Sequence, residues 1–260
     1  MSGLDSERLA AVLANNALGR YTIYLESTAS TQDVAKNSAD EGAPEGTIVI
    51  ANEQTAGRGR QGRSWHSPPG ANLYFTIILR PTIEQLVALP MAVPLAVAEG
   101  IEAATGINAG IKWPNDVLVG RRKIAGVLLD SEFREDQPRY ALAGVGINVN
   151  FDTSAHAELR DIATSLQVER GTPVDTGAVL SAVMEAIRER YEQSRMGGAG
   201  TYQAWRQRLS NLGNEVTVHL PDGSTATGVA EDVTEQGALV LRLPGGETCV
   251  MPAGELRSGG

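Results

Sequence analysis

Two long apolar segments in the middle of the chain, Ile124–Phe133 and Tyr140–Val149, constrain the fold more than any other feature of the sequence. Both are rich in the β-branched and apolar residues that suit a buried strand. Only the polar run Glu135-Asp136-Gln137-Pro138 separates them, and residues of this kind favour a turn. Two strand-like segments joined so closely predict an antiparallel β-hairpin.

The segments around this hairpin alternate between strand-like and helix-like patterns. Short β-branched or apolar runs predict strands at Thr22–Leu25, Thr47–Ala51, Leu73–Leu79, Ile111–Trp113 and Val117–Val119. Apolar residues at a spacing of three to four predict helices at Ser6–Asn16, Leu89–Thr105 and Tyr202–Leu209. Ser30 or Thr31 could cap a further helix through about Ala39. A long helix is predicted with Thr172 as its cap, Pro173 at its first position and Gly197-Gly198 at its end.

The character of the sequence changes after Gly213. Four short alternating segments predict strands at Glu215–Leu220, Ala226–Val233, Ala238–Leu243 and Thr248–Met251. Turn-forming runs separate them at Pro221-Asp222-Gly223, Glu235-Gln236-Gly237 and Pro244-Gly245-Gly246. The sequence therefore predicts an α+β domain over residues 1–210, with a mixed and mostly antiparallel sheet, followed by a small β-barrel over residues 211–260.

Composition excludes several classes of protein. A chain of 260 residues that is 42% apolar can bury a core. Its net charge of −9 argues against binding along a phosphate backbone, and its single cysteine, Cys249, excludes an intrachain disulfide. The longest uncharged apolar stretch, Gln85–Ala98, is short for a bilayer span, and Met1–Ala10 does not resemble a signal peptide. We therefore expect a cytoplasmic protein that binds neither DNA nor a membrane.

The run Gly57-Arg58-Gly59-Arg60-Gln61-Gly62 matches the Gly-x-Gly-x-x-Gly pattern of dinucleotide-binding folds. That pattern must open a helix directly after a strand, whereas Pro68 and Pro69 follow here. No Gly-Lys-Ser/Thr follows either, so the segment is not a P-loop. The match is therefore not a nucleotide fingerprint of either kind.

What remains is a glycine-rich loop with three arginines, Arg58, Arg60 and Arg63, in an acidic chain. Guanidinium groups bind carboxylates and phosphates, and a flexible glycine-rich backbone can close as a lid. The pattern thus favours a multiply charged anionic ligand, with Trp65 available to stack on a base. A solvated basic loop without a ligand is the alternative.

A second set of polar residues lies further along the chain. Lys112-Trp113-Pro114-Asn115-Asp116 places a cation, an aromatic ring, an amide and a carboxylate together at a strand end. Lys123-Ile124-Ala125-Gly126 follows, and Gly144-Val145-Gly146-Ile147-Asn148 ends the second strand of the hairpin. A lysine at the start of a buried strand is also found where its charge simply reaches solvent, so the spacing alone leaves the role of Lys123 open.

Taken together, these motifs resemble those of biotin protein ligases. The resemblance rests on Gly-Arg-Gly-Arg-x-Gly-Arg, Lys-Trp-Pro-Asn-Asp, Lys-x-x-Gly and Gly-x-Gly-x-Asn in this order, and it covers about residues 20 to 257. It implies a catalytic domain similar to class II aminoacyl-tRNA synthetases and an SH3-like C-terminal barrel. About 20 residues precede the first predicted strand, too few for the helix-turn-helix domain of bifunctional members, so a monofunctional ligase is expected.

The resemblance also implies the reaction. In such ligases the biotin carboxylate attacks the α-phosphate of ATP, with Mg²⁺ on the phosphates, giving biotinyl-5′-AMP and pyrophosphate. A lysine of a biotin carboxyl carrier protein, part of acetyl-CoA carboxylase or a related carboxylase, then displaces AMP. A monomer or a homodimer is expected. The alternatives are a lipoate or octanoate ligase, which shares the fold, and a sensor that binds biotin or a nucleotide without turnover.

Site residues carry over by the same resemblance. Biotin contacts are expected from Ser30, Thr31, Gln32, Gln54, Arg58, Gly59, Arg60, Lys123 and Gly126, with Lys123 at the carboxylate. Contacts to ATP or the adenylate are expected from Arg60, Arg63, Trp65, Asn115 and Asn148. The catalytic residues are expected to be Lys123, Arg60 and Asp116.

Three assignments remain open at this point. Asp116 is proposed as the proton acceptor or orienter of the incoming amine, with a metal or structural role as the alternative. The family has Asn where this chain has Gln32, and Ser27-Thr28 offers a competing register for the Ser-Thr motif. No set of metal ligands is evident, and the three histidines form no catalytic set in the sequence.

Overall fold

The computed structural model describes residues 4–195 and 199–257, which form six α-helices and two β-sheets. The helices are α1 (Ser6–Leu13), α2 (Thr31–Asp40), α3 (Ile83–Thr105), α4 (Leu166–Arg170), α5 (Thr176–Ser194) and α6 (Ala199–Gln207). The first sheet contains β1 (Tyr21–Leu25), β2 (Thr47–Ala51), β3 (Leu73–Leu79), β4 (Gly110–Lys112), β5 (Asp116–Val119), β6 (Arg122–Arg134) and β7 (Gln137–Ile147). The second contains β8 (Glu215–His219), β9 (Thr225–Val233), β10 (Leu239–Arg242), β11 (Thr248–Met251) and β12 (Glu255–Arg257).

The first sheet has the strand order β1-β2-β3-β7-β6-β5-β4. Only β1 and β2 pair in parallel, and every other neighbouring pair is antiparallel. The predicted hairpin is confirmed as β6–β7, which lies inside the sheet with β3 and β5 as its outer neighbours. The fold class predicted from the sequence, a mixed and mostly antiparallel α+β sheet with helices, is therefore correct.

Helices cover both faces of this sheet. Successive strand residues point to opposite sides, and every residue of β2 and β3 is buried, so both sides of these strands are packed. On one face Val49 and Ile78 pack with Ala35 of α2. On the other face the neighbouring residues Ile48 and Ile77 join the main core with α3 and α5. The strand pattern thus determines which residues each helix covers.

Helix α3 is the central core helix. A Cβ atom at Gly100 would lie 2.5 Å from the Cα atom of Val183 in α5, so glycine permits the close approach of the two helices. By length and composition α3 could cross a membrane, but 67% of its apolar window is buried inside the protein. The helix begins at Ile83 rather than at the predicted Leu89, because Thr82 and Gln85 form a capping box upstream.

Helix α5 begins later than predicted. Its cap is Asp175, whose carboxylate accepts hydrogen bonds from the backbone N–H groups of Gly177 and Ala178. The predicted start at Thr172-Pro173 is wrong because Val174 is held outside the helix by both side-chain amide atoms of Asn150. The predicted end at Gly197-Gly198 lies outside the described residues, and the helix is described to Ser194.

The second sheet, with the order β11-β10-β9-β8-β12, is antiparallel throughout. Its last strand, β12, is absent from the sequence prediction. Core residues such as Val218 and Leu239 join the main apolar cluster, so the two sheets share one core. The division of the chain at residues 210/211 stays a prediction.

Candidate functional site

A cavity of about 140 Å³ lies where four parts of the chain meet. They are the β6–β7 hairpin, the start of α2, β12 and the glycine-rich loop that carries Arg58, Arg60 and Arg63, which we call the arginine loop. It brings together almost every site residue predicted from the sequence. The predicted residues in its wall are Ser30, Thr31, Gln32, Gln54, Arg58, Gly59, Arg60, Arg63, Trp65, Asn115, Asp116, Lys123 and Gly126. Segments far apart in the chain therefore converge on one site.

Asn148, the remaining predicted residue, lies outside this wall. It is buried, and its side-chain amide donates a hydrogen bond to the Thr164 carbonyl oxygen (3.0 Å). Its backbone N–H donates to the carbonyl of Ile124 (2.8 Å). In this geometry Asn148 ties the end of β7 to neighbouring segments, and its contact with the nucleotide stays a prediction.

One half of the cavity, which we call the neutral floor, consists of Ser30, Thr31, Gln32, Gln54 and Thr76. Ser30 caps α2 by accepting a hydrogen bond from the backbone N–H of Gln32. The side-chain oxygen of Gln54 accepts from the backbone N–H (2.9 Å) and the hydroxyl (3.1 Å) of Thr31. The Thr31 and Thr76 hydroxyl oxygens lie 2.9 Å apart, and because each hydroxyl has a single proton, a hydrogen bond between them alternates with one of the hydroxyl donations to Gln54 or Gln32. The floor is thus an uncharged network of side chains held by one another.

The competing Ser-Thr register leads elsewhere. The Ser27 hydroxyl donates to the carboxylate of Glu53 (2.9 Å) at an exposed position, and neither Ser27 nor Thr28 lines the cavity. Ser30 and Thr31, in contrast, are buried in its wall. The geometry favours the Ser30-Thr31-Gln32 register.

Gln32 occupies the position where the family pattern has Asn. Its amide nitrogen donates to Asp130 (3.0 Å), and its amide oxygen accepts from the Thr76 hydroxyl (3.0 Å). A Cβ atom at Gly144 would lie only 2.5 Å from that amide oxygen. The longer glutamine therefore fits because residue 144 of the facing strand has no side chain.

The other half of the cavity, which we call the cationic half, is built around Asp116. The Lys123 ammonium lies 2.6 Å from an Asp116 carboxylate oxygen. Arg60 donates to the side-chain oxygen of Asn115 (3.1 Å) and to the carbonyl of Gly254 (3.2 Å). Burial lowers the pKa of Arg60, while the nearby Asp116 carboxylate opposes that shift. The arginine loop is thereby attached to both sheets.

Two further arginines of the loop have carboxylate partners. Arg58 pairs with Asp33 in the first turn of α2 (2.5 Å), and Arg63 pairs with Glu255 of β12. Among the described residues, five cationic side chains line the cavity against two carboxylates, those of Asp116 and Glu255. The wall therefore carries an excess of positive charge in an acidic protein, as an anion-binding site requires.

The indole ring of Trp65 packs against Gly126 and Gly146, two residues that have no side chain. Gly126 of β6 pairs with Gly146 of β7, and a Cβ atom at Gly146 would lie 2.6 Å from two atoms of the indole ring. The Lys123 ammonium lies 5.1 Å from the ring centroid, a cation–π geometry. The indole N–H is buried without a hydrogen-bond partner among the described residues. The indole ring thus forms part of the cavity wall beside Lys123.

Several residues of the site were not identified from the sequence as site residues. Thr76, Asp130 and Glu255 carry no local signal, because their roles depend on which elements pack together. Lys112 stands inside the Lys-Trp-Pro-Asn-Asp motif and lines the cavity, yet the resemblance assigned it no role. Its position in the motif was the available signal.

No cluster of three or more His, Cys, Asp or Glu side chains suited to a metal ion occurs within residues 4–195 and 199–257. His66 and His156 approach each other with ring centroids 6.0 Å apart and with Phe151 packed against both, but neither histidine lines the cavity. The carboxylates available to a cation in the cavity wall are Asp116 and Glu255.

Comparisons with known proteins agree with this geometry. The chain matches the biotin/lipoate A/B protein ligase family over residues 24–148 and the biotin protein ligase C terminal domain over residues 212–256. The first match contains the neutral floor together with Arg60, Asp116 and Lys123 of the cationic half, and the second contains Glu255.

Individual relatives cover nearly the whole chain. The biotin–[acetyl-CoA-carboxylase] ligase of Mycobacterium tuberculosis is 32% identical over 261 residues, with 97% of this chain and 95% of that protein covered. The bifunctional ligase/repressor BirA of Bacillus spizizenii is 36% identical over 247 residues, covering 94% and 76%. The solved structure of the Aquifex aeolicus biotin protein ligase in complex with biotin and ATP has a TM-score of 0.78 at 30% identity, covering 92% and 98%. The chain therefore belongs to the biotin protein ligase family.

Proposed function

We propose that this protein is an ATP-dependent ligase that activates biotin as biotinyl-5′-AMP and transfers it to a lysine of a biotin carboxyl carrier protein. The observation that supports this most is the division of one cavity into a neutral floor and a cationic half. The floor suits the uncharged ureido ring of biotin. The cationic half suits the carboxylate and phosphates that must meet.

The first step brings an anionic carboxylate onto a polyanion. Two like unit charges 4 Å apart repel by about 1 kcal/mol in water and about 4 kcal/mol at an effective dielectric constant near 20. Cations fixed beside the reacting atoms offset this repulsion in the ground state and stabilise the charge of the transition state. Lys123 pairs with the biotin carboxylate in this proposal, and Arg60 and Arg63 face the phosphates.

The second step requires an incoming lysine amine in its neutral form, although the pKa of a free lysine is about 10.4. Asp116 is the carboxylate of the motif nearest to the reacting groups, and it is held by Lys123 at 2.6 Å. When Lys123 turns to the biotin carboxylate, Asp116 becomes available to orient the incoming ammonium and accept its proton. The Trp65 segment closes over the adenylate and excludes water, which would otherwise hydrolyse it.

A magnesium ion on the phosphates is part of the proposal. Mg²⁺ keeps several waters and is commonly held by one or two carboxylates together with substrate phosphates. Asp116 and Glu255 in the cavity wall fit that pattern. The ion would neutralise phosphate charge when bound.

The test combines the protein with biotin, MgATP and a biotin carboxyl carrier domain, and the mass of the carrier is then measured. The proposal predicts an increase of one biotinyl group that requires ATP and the acceptor lysine of the carrier. A carrier with that lysine replaced by arginine is the matched control. Modification by lipoate instead of biotin would favour a lipoate ligase, and binding of biotin without any mass shift would favour a sensor.

A further inference from the structure

Lys112 occupies a defined place at the edge of the first sheet. It lies on β4, and its Cα atom pairs with that of Asp116 on β5. Its side chain is half-buried and lines the cavity. It therefore shares a site with Lys123, although neither the family resemblance nor the mechanism above uses it.

Lys112 differs from the other cations of the cavity wall in having no partner. Arg58, Arg63 and Lys123 each pair with a carboxylate, and Arg60 donates to two oxygen atoms. Within the described part of the chain, the Lys112 ammonium has neither a hydrogen bond nor an ion pair. Because partly buried cations are normally paired, this charge is available to a ligand.

The carboxylate opposite Lys112 is already engaged. Asp116 gives its oxygen to Lys123 at 2.6 Å, and the pair Lys112–Asp116 lies beyond ion-pair distance. Burial lowers the pKa of Lys112, and the like charges of Lys123 and Arg63 lower it further against the attraction of Asp116. The charged form of Lys112 is thus unfavourable at this position until an anionic ligand binds beside it.

The order of the strands indicates which anion this is. Across the sheet the site residues follow the sequence Thr76 on β3, Gly144 on β7, Lys123 on β6, Asp116 on β5 and Lys112 on β4. Neighbouring strands are about 4.8 Å apart, so β4 lies about 10 Å beyond the strand of Lys123 and about 19 Å from that of Thr76. When a ligand has its ring on the neutral floor and its carboxylate at Lys123, Lys112 lies beyond that carboxylate along the sheet. It is therefore available to chemical groups that extend past the carboxylate.

We propose that the Lys112 ammonium binds the pyrophosphate part of ATP and stabilises it as the leaving group. This inference rests on the proposed function. In the first step a bond forms between a biotin carboxylate oxygen and the α-phosphorus. The bond from the α-phosphorus to the bridging oxygen breaks, and its electron pair leaves with pyrophosphate. Lys112 keeps its proton throughout and neutralises part of this new charge.

The composition of the chain allows a direct test. Its lysines are Lys36, Lys112 and Lys123, so each can be followed separately by mass spectrometry after brief labelling with acetic anhydride. Lys36 is exposed and pairs with Asp40 on the surface of α2, which makes it the internal control. Labelling is compared for the protein alone, with biotin and with magnesium pyrophosphate.

We expect magnesium pyrophosphate to reduce labelling of Lys112 at least fivefold and to leave Lys36 unchanged. Biotin alone should protect Lys123 and not Lys112. If pyrophosphate leaves Lys112 labelling unchanged while biotin protects Lys123, this inference fails and the proposed function stands. If neither ligand protects any lysine, the proposed function fails with it.

The kinetic constants of Lys112 variants give a second test, because a lysine with a merely structural role would not change the constants for ATP and pyrophosphate selectively. We expect Lys112→Gln to raise the KM for ATP and the inhibition constant of pyrophosphate at least tenfold, with the KM for biotin within twofold. Lys112→Arg should recover most of the loss because it restores the charge, and Lys36→Gln should behave as the unmodified protein. Equal increases in both KM values without recovery by arginine would overturn the inference, and biotin binding by Lys112→Gln verifies that the variant is folded.

Discussion

The two halves of the cavity satisfy their polar groups in opposite ways. In the neutral floor, Thr31, Gln32, Gln54 and Thr76 are connected by side-chain hydrogen bonds to other parts of the same chain. In the cationic half, positive charges exceed negative ones, and Lys112 has no partner among the described residues. The floor is thus complete before a ligand binds, whereas the cationic half is completed by the ligand.

This difference follows from what each half has to do. Biotin enters with an uncharged ring that does not change during the reaction, so a fixed network gives affinity at little cost in ordering. The reacting groups, in contrast, change their charge, and cations that are only partly compensated stabilise that change more strongly. The comparison predicts that variants of the floor affect biotin binding, while variants of the cationic half affect ATP and the chemical step.

The largest effect is expected for Lys123→Ala. Its removal leaves the biotin carboxylate unpaired beside the phosphates and releases Asp116, and loss of such a group commonly costs about 10²–10³ in rate. Biotin-dependent release of pyrophosphate measures this step. Near-normal release from the variant would contradict the assignment of the cationic half.

Loss of the floor network should have a smaller and more selective effect. In Thr31→Val the Gln54 oxygen keeps the backbone donor and loses the hydroxyl donor, and one hydrogen bond contributes about 0.5–1.5 kcal/mol, which corresponds to roughly 2- to 12-fold in affinity. We expect the Kd for biotin to rise within this range and the KM for ATP to stay within twofold. Calorimetric titration with biotin and steady-state kinetics with ATP separate the two, and a comparable rise in both constants would erase the distinction between the halves.

Gly144→Ala tests the fit of Gln32. The added Cβ atom meets the Gln32 amide oxygen at 2.5 Å, and overpacking of this kind costs about 1–3 kcal/mol. We expect lower stability and about tenfold weaker biotin binding. The double variant with Gln32→Asn should recover part of both, because the asparagine amide ends one methylene earlier. Additive losses in the double variant, measured by denaturant unfolding and biotin titration, would show that the two residues do not interact.

The smallest effect concerns stability without ligands. The pKa of Lys112 is lowered in the folded protein, so folding disfavours its charged form at any pH below the folded pKa, and the penalty disappears as the pH rises past the ordinary value. Lys112→Met should therefore raise the Tm at pH 7 by a few degrees, since 1 kcal/mol corresponds to about 2–4 °C in a protein of this size. The gain should shrink at pH 10. A lower Tm at pH 7 would indicate that Lys112 stabilises the fold and is not strained by its position.

Much of the main sheet could be predicted because its strands carry long apolar runs. The β6–β7 hairpin and β3 follow directly from their residues. The start of α3 could not be placed from apolar spacing, because it depends on the Thr82–Gln85 capping box, and the start of α5 depends on Asn150, a residue from another segment. Local pattern determines the presence of an element, and tertiary contacts shift its ends.

The same contrast between local pattern and tertiary contacts applies to the residues of the site. The arginine loop and the Lys-Trp-Pro-Asn-Asp motif place their residues in the cavity as the sequence predicts. Asp130 and Glu255 could not be predicted, because they reach the site through strand pairing and through packing of the second sheet. Asn148 shows the opposite case, a motif residue whose amide serves the backbone.

The Arg60 bridge to Gly254 has a consequence for synthesis on the ribosome. Translation delivers the arginine loop long before β12, so a nascent chain holds most of the cavity wall while Arg60 and Arg63 still lack their contacts with Gly254 and Glu255. In such a chain Arg60 can already reach Asn115, but its contact with Gly254 forms only after the second sheet has been made. The contacts that attach the arginine loop to the second sheet are therefore among the last of the cavity wall to form.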